Sequence, residues 1–270
     1  MDYPTSMTRP QWEVVQEILH TASKRGPKFD PNELRTIIDA MLYVTHTGCQ
    51  WRYLPGDFGG WTRVWSQFRR WSDPKNGTFE RLLAGVHEQV RLADGRLPKP
   101  SMVIIDTHLA RASSNRGATF HDRGGPYGRT KGAKRTIAVD ITGQPLCARV
   151  VAASTKESDT TALLIEDIKR LGQADRLTLV LVDHGVCPGP AAKLSKRFAI
   201  EVRPQGWNPK PTDANGKRIF KALPYAWRVE IAHGQLMRSR RLSKSFENSP
   251  ASATAWLQLA CIANNLSALL

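Results

Sequence analysis

Two short apolar runs, each ending in an aspartate, constrain this chain more than any other feature. Met102-Val103-Ile104-Ile105 runs into Asp106, and Leu177 to Val182 runs into Asp183. Runs of this length rich in Val, Ile and Leu read as buried strands. An ionised carboxylate at the end of such a strand is costly unless it is paired, hydrogen-bonded or bound to a cation. A lone aspartate there commonly caps a turn. Two in one domain point instead to a shared crevice, because ligands of open α/β sheets bind outside the carboxyl ends of the strands. Paired carboxylates in that place suit a divalent cation such as Mg²⁺, which prefers hard oxygen ligands.

The surrounding pattern supports an α/β core. Thr136 to Ile141 alternates as a strand, Thr142-Gly143 is a turn, and Pro145 to Ala152 is the returning strand of a hairpin. Helical periodicity follows from Asp159 to Leu171, a helix is expected around 188–198, and a strand around 199–203. A polar loop at 204–219 leads to a helix from Pro224 to Ser239 and another over 250–268. The order strand, hairpin, helix, strand, helix, strand, helix is that of an α/β core with one antiparallel excursion. The first third differs. Helices are expected at 9–22, with Thr8 as cap; from Asp30 or Pro31 to Gly48; from Gly60 to Trp71; and over 77–93. Trp61, Val64, Trp65, Phe68 and Trp71 form one stripe of the third helix, read as core, with Arg63, Arg69 and Arg70 pointing outward. Asp94 to Pro100 is a Pro/Gly-containing linker. The expected organisation is a helical N-terminal domain over 1–95 and an α/β domain over 101–270.

Composition narrows the partner. The 270 residues carry 39 Lys+Arg against 24 Asp+Glu, a net charge of +15. The excess is sharpest from 193 to 244, where 13 basic residues face only Glu201, Asp213 and Glu230. Such a balance suits a polyanion, DNA or RNA. No run of ~18 apolar residues exists to cross a membrane. The N-terminus lacks a signal-peptide pattern, so a cytoplasmic location is expected. Cys49, Cys147, Cys187 and Cys261 are widely spaced, with no C-x-x-C pair and no zinc spacing, and are read as reduced packing residues.

A third carboxylate completes a metal-binding set. Glu157, Glu166, Glu201, Glu230 and Glu247 are the candidates. Glu230 stands out because it lies on a helix inside the basic stretch, with Trp227 three residues before it.

At this point the chain resembles a known family. Met7 to Trp12, Met41 to Leu54 (MLYVTHTGCQWRYL) and Gly60 to Trp71 (GWTRVWSQFRRW) look like the N-terminal helical domain of bacterial DDE transposases of the insertion-sequence-five family. Val103 to His108 (VIIDTH), Lys131 to Gly143 (KGAKRTIAVDITG), Leu181 to Gly185 (LVDHG), and Leu223 to Glu230 (LPYAWRVE) with Arg240 to Glu247 (RRLSKSFE) look like its catalytic segments. The resemblance covers essentially the whole chain. It implies an RNase H-like core, an Asp106–Asp183–Glu230 triad holding two divalent cations (Mg²⁺ or Mn²⁺), and cleavage and strand transfer of DNA. Two positions depart from the family pattern. His184-Gly185-Val186 stands where many relatives have Lys-Gly-Tyr, and Ile231 where many have Arg.

The partners implied are double-stranded DNA, as terminal inverted repeats and as target, and a second copy of the chain to synapse two ends. On DNA the protein is expected at the nucleoid. Arg63, Arg69 and Arg70 are the expected contacts in the helical domain. Lys131, Lys134 and Arg135 beside the hairpin, and Arg228, Arg238, Arg240, Arg241 and Lys244 beside the glutamate helix, form the expected phosphate track. His108, His121 and His184 are expected near the site without being zinc ligands. The alternative reading is a catalytically weak DNA-binding protein of transposase descent. An RNase H-like nuclease fits the carboxylates but not the helical domain.

Overall fold

A computed structural model describes residues 3–22, 30–113, 120–124, 128–206, 212–217 and 225–269. The polar break expected at 23–27, parts of the stretches 111–133 and 204–219, and the helix start expected at Pro224 lie outside those residues. Four helices come first: α1 (Arg9–Ala22), α2 (Pro31–Thr47), α3 (Trp61–Trp71) and α4 (Thr78–Ala93). Their ends have local causes. At α1 the Thr8 hydroxyl accepts from Gln11 N (3.4 Å) while Gln11 Oε1 accepts from Thr8 N (2.8 Å), a reciprocal cap. At α2 the Asp30 carboxylate accepts from Asn32 N (2.8 Å), and Gly48 closes the helix at φ +70°. A side chain at Gly48 would also press within 3.1 Å of the Arg240 backbone.

Six strands follow: β1 (Met102–Arg111), β2 (Asp122–Gly124), β3 (Thr130–Asp140), β4 (Pro145–Ala152), β5 (Leu179–Asp183) and β6 (Glu201–Gln205). Between and after them lie α5 (Glu157–Arg170), α6 (Pro188–Phe198), α7 (Ala226–Leu236) and α8 (Pro250–Ser267). They form one sheet in the order β2-β3-β1-β5-β6, with β4 also paired to β3. The strands β1, β5 and β6 run parallel, while β3 is antiparallel to β1, β2 and β4. This is the RNase H-like core expected above. One difference matters. The sequence suggests that β1 stops at Asp106, yet it continues to Arg111, because β3 pairs with it as far as Gly132.

The pleat sends alternate residues to opposite faces. Val103, Ile105, Ala138, Val180, Val182 and Val202 pack under α5 and α6. Ile104, Ile137, Val139, Ala148, Val150 and Leu181 face the other way, into a cluster that takes in α7, α8 and the N-terminal helices. The helical region thus shares a continuous core with this face of the sheet. Trp256 of α8 is fully buried and stacks on Phe68 of α3 at 4.3 Å between ring centroids. On α3 the buried residues are Val64, Gln67, Phe68 and Trp71. The expected core stripe is therefore rotated: Trp65 is exposed and Trp61 only half-buried.

Polar residues of α8 protect the outer edge of β4, a backbone row that is otherwise open to pairing. Thr254 Oγ1 accepts from Val150 N (3.0 Å), Gln258 donates to Ala148 O (3.2 Å), and Asn265 donates to Pro145 O (2.7 Å). A second latch joins α4 to the β3–β4 turn. Asp140 is completely buried and takes hydrogen bonds from the Arg91 guanidinium, Thr142 N (2.9 Å) and Thr142 Oγ1 (2.6 Å). Burial opposes ionisation here, but His87, Thr142 and Arg91 outweigh it and hold the carboxyl well below the usual range.

Removing one partner of a buried pair leaves a bare charge. Asp140→Ala is expected to cost about 3–5 kcal/mol at neutral pH by chemical denaturation. Because the folded carboxyl titrates below its unfolded value, this stabilisation is complete above pH ~4 and declines as pH falls further. The gap between wild type and variant therefore narrows only below pH ~4, and a pH-independent gap contradicts the assignment.

Candidate catalytic site

Register brings the two aspartates together. The parallel β1–β5 pairing runs from Met102↔Leu179 to Ile105↔Val182, so Asp106 and Asp183 occupy the next position on adjacent strands. Both fall on the face shared with Ile104 and Leu181. Asp106 lies inside β1 rather than at its end. It is half-buried, and its parallel neighbour β5 finishes at Asp183. The helix α7, which packs on β1 and β3, carries Glu230 on this side.

The acids around Asp106 act on its ionisation. The Asp106 carboxyl is pushed up to about 6, chiefly by burial. A backbone hydrogen bond at Thr107 works against this, and the negative charges of Asp183, Glu157 and Glu230 add to it. His233, one turn after Glu230, has Nε2 3.5 Å from Asp106 Oδ2, too far for a hydrogen bond, and burial pushes it down to about 4. It is therefore neutral at physiological pH. His108 stacks near it at 5.6 Å between rings and is also lowered, first by burial and then by Arg135. His184 Nδ1 lies 2.6 Å from Asp183 Oδ1 at the exposed rim.

The other candidate acids are occupied elsewhere. Glu166 pairs with Arg197 (2.5 Å), Glu201 with Arg203 (2.7 Å), and Glu247 with Arg241 and Ser252. Glu157 is different: it opens α5 beside the loop after Asp183, and its charge reaches Asp106. A glutamate at a helix start carries no sequence signal that sets it apart. The small residue it packs against, Gly185, is the one clue. His233 was likewise legible only as the residue three past Glu230, on the same helix face. His121 is not part of the cluster; its Nε2 meets Ser245 Oγ at 2.8 Å, in a buried contact.

Among the described residues, no three of these side chains stand within reach of one ion. Their chemistry nevertheless fits a hard divalent cation, because carboxylate oxygens are hard donors and the neighbouring acids reinforce one another's negative charge.

Residues 97–266 match the family model described as "Transposase DDE domain", and residues 7–83 match a model for transposases of the IS4/5 family. The chain belongs to the DDE transposase family. An uncharacterised protein of Sinorhizobium fredii, y4sN, is 26% identical over 117 residues, which are 43% of this chain and 83% of that protein. Among solved structures, the piggyBac transposase synaptic complex with hairpin DNA aligns at TM-score 0.45 and 10% identity, over 96% of this chain and 72% of that one. The Mos1 transposase paired-end complex with left transposon end aligns at 0.28 and 12%, over 83% and 82%. The family assignment rests on the two model matches and not on these distant likenesses.

The basic residues of the transposase divide by availability. Arg70, Lys131, Arg238, Arg240 and Lys244 are exposed. Arg69 lies over the Trp65 ring (5.1 Å) and Arg228 over Trp227 (4.1 Å). Arg63 pairs with Glu33, and Lys134 donates to Thr155 O (2.7 Å). Two expected phosphate contacts are corrected. Arg135 is buried and donates to the carbonyls of Leu242 and Lys244 (3.0 Å), and burial pushes it down to about 10. Arg241 is largely buried between Glu247 and the Trp256 ring (4.9 Å). Both fasten the segment 240–244, which holds Arg240 and Lys244 outward. The pattern of charge could not separate these roles, because burial is set by where α8 packs. Among the described residues, all four cysteines are unbridged, and no helix is long and apolar enough to cross a membrane.

A raised carboxyl has a stability cost. Between the unfolded value near 3.9 and the folded value of about 6, the native state binds more protons, so stability falls as pH rises. Asp106→Asn in metal-free protein is expected to raise stability at pH 7.5 by up to about 3 kcal/mol, with the gain vanishing below pH ~4. Thermal melts across that range check it. A variant less stable than wild type at pH 7.5 contradicts the environment described.

Proposed function

We propose that this transposase binds the terminal inverted repeats of its element and catalyses metal-dependent cleavage and strand transfer of DNA. The observation that carries this reading is the register that sets Asp106 beside Asp183, with Glu230 on α7, the helix that packs on β1 and β3. Asp106, Asp183 and Glu230 would hold two divalent cations, Mg²⁺ or Mn²⁺. Such ions, when bound, activate water and then a 3′-hydroxyl and stabilise the leaving 3′-oxygen. The protein's own part is to aim: the β1–β5 pairing fixes the two aspartates side by side, and Glu230, on the helix that packs on β1 and β3, would complete the set. His184 restrains Asp183 at the rim. His233 Nε2 lies 3.5 Å from Asp106 Oδ2, where burial disfavours a charge on the imidazole.

Exposed Arg238, Arg240 and Lys244 follow α7 in the chain, which suits a sequence-blind phosphate track. Arg70 and the Trp65–Arg69 pair on α3 present a separate surface on the helical region, which is proposed to recognise the repeats. Two ends must be held together for transfer, so a homodimer on DNA is the proposed working unit. The proposed location is the cytoplasm, at the nucleoid when DNA is bound.

Asp106→Asn and Asp183→Asn are each expected to abolish Mg²⁺- or Mn²⁺-dependent cutting of terminal-repeat DNA while retaining most DNA affinity. Undiminished cutting by either variant refutes the assignment. Each phosphate contact contributes about 0.9 to the log–log salt slope. Replacing Arg238, Arg240 and Lys244 together by Ala should therefore flatten the slope by up to ~3. Binding assays over a salt series check this, and an unchanged slope removes these residues from the phosphate path.

A further inference from the structure

On α3 the core takes Val64, Gln67, Phe68 and Trp71, while Trp61 is half-buried and Trp65 is 36% exposed. Trp61, Trp65 and Arg69 are spaced four residues apart, so they form one row along the outer face of the helix. The row alternates rings and guanidinium groups. Arg52, from the turn before α3, lies over the Trp61 ring at 5.5 Å. Trp61 meets Trp65 edge-on at 6.5 Å, and Arg69 lies over the Trp65 ring at 5.1 Å. Both arginines are exposed, and neither has an ion-pair partner among the described residues. Acids of the same region are engaged: Glu33 pairs with Arg63, and Asp57 accepts from the Tyr3 hydroxyl (2.7 Å). A guanidinium resting on a flat ring is pre-organised, so it gives up less freedom when its N–H edge meets a pair of acceptors. The major groove of DNA admits an α-helix, and guanine presents O6 and N7 there as such a pair.

We propose that Arg52 and Arg69 are base-reading arginines, held by the Trp61–Trp65 stack so that each meets a guanine edge in the major groove of the terminal repeat. This rests on the reading above that α3 recognises the repeats, and it adds Arg52 to the contacts expected from the sequence. One competing role is surface packing, in which each ring–guanidinium contact only steadies the helix. The other is phosphate binding, which needs the charge but not the planar fork.

Competition binding of the full-length protein, read by fluorescence anisotropy, separates these roles. Three duplexes are used: the terminal repeat taken from the DNA flanking the reading frame, the same repeat with 7-deazaguanine for every guanine, and a scrambled sequence. The 7-deaza form lacks N7, one acceptor of each pair. Wild type, Arg52→Lys, Arg69→Lys and Trp65→Leu are compared, each checked by circular dichroism. Wild type should prefer the repeat over its 7-deaza form. Each lysine variant keeps the charge and should lose at least about fivefold of that preference, with an unchanged salt slope. Trp65→Leu should lose preference as Arg69→Lys does; if it fails to fold, the lysine variants at their exposed positions decide. Wild-type preference in either lysine variant overturns the proposal and assigns that arginine to packing or phosphate. Wild-type preference in folded Trp65→Leu shows that the ring does not hold Arg69 and overturns it as well. A wild type that prefers the repeat but ignores the 7-deaza change overturns the guanine contact and leaves repeat recognition standing. A wild type that binds repeat and scrambled DNA equally overturns the recognition reading itself, and the proposal with it.

Discussion

The parallel pairing of β1 with β5 is the constraint on which the rest of this molecule depends. It ends at Ile105↔Val182, and the next residue on each strand is an aspartate. Backbone hydrogen bonds hold those two carboxylates on neighbouring strands whatever they prefer electrostatically. Apolar residues fix the register from both faces, since a slip of one residue would turn Ile105 and Val182 out of the α5–α6 layer and the aspartates into it. The price is visible at Asp106, whose acidity is weakened by burial and by three other acids. Strain of this electrostatic kind is a common mark of functional sites, where local stability is given up for chemistry.

Everything packed on the other face serves that edge. The α8 helix closes the β4 edge, holds α3 through Trp256 stacked on Phe68, and follows the segment that carries Arg240 and Lys244. Arg135 reaches from β3, opposite His108, to hold the carbonyls of Leu242 and Lys244. A buried guanidinium thus ties the register of the sheet to the placement of the exposed cations. The helical N-terminal region joins the same core, so a surface for recognising DNA on α3 would be rigidly tied to the strand ends that carry Asp106 and Asp183.

Much of this was legible in the sequence, and the exceptions have physical causes. The Val-Ile-Ile-Asp and Leu-Val-Asp runs announced both strands, and Asp30-Pro31 with Gly48 marked both ends of α2. Strand β1 was read as stopping at Asp106 because Asp, Thr and His look like loop residues; pairing with β3 extends it to Arg111. The third helix was rotated because Gln67, a polar residue, is buried while Trp65 is exposed. Arg135 and Arg241 looked like DNA contacts because burial by a distant helix leaves no local trace in sequence. Glu157 was one acid among five until the fold set it against Gly185.

The claim that one edge of the sheet is a divalent-cation site has a direct physical test. Fe²⁺ substituted for Mg²⁺, with ascorbate and peroxide, generates hydroxyl radicals that cut the polypeptide close to where the ion sits. Cuts should cluster near Asp106, Asp183 and Glu230, three segments far apart in sequence, and should fade together as Mg²⁺ is added. Cuts at other segments that Mg²⁺ suppresses, with these three left intact, would contradict the site.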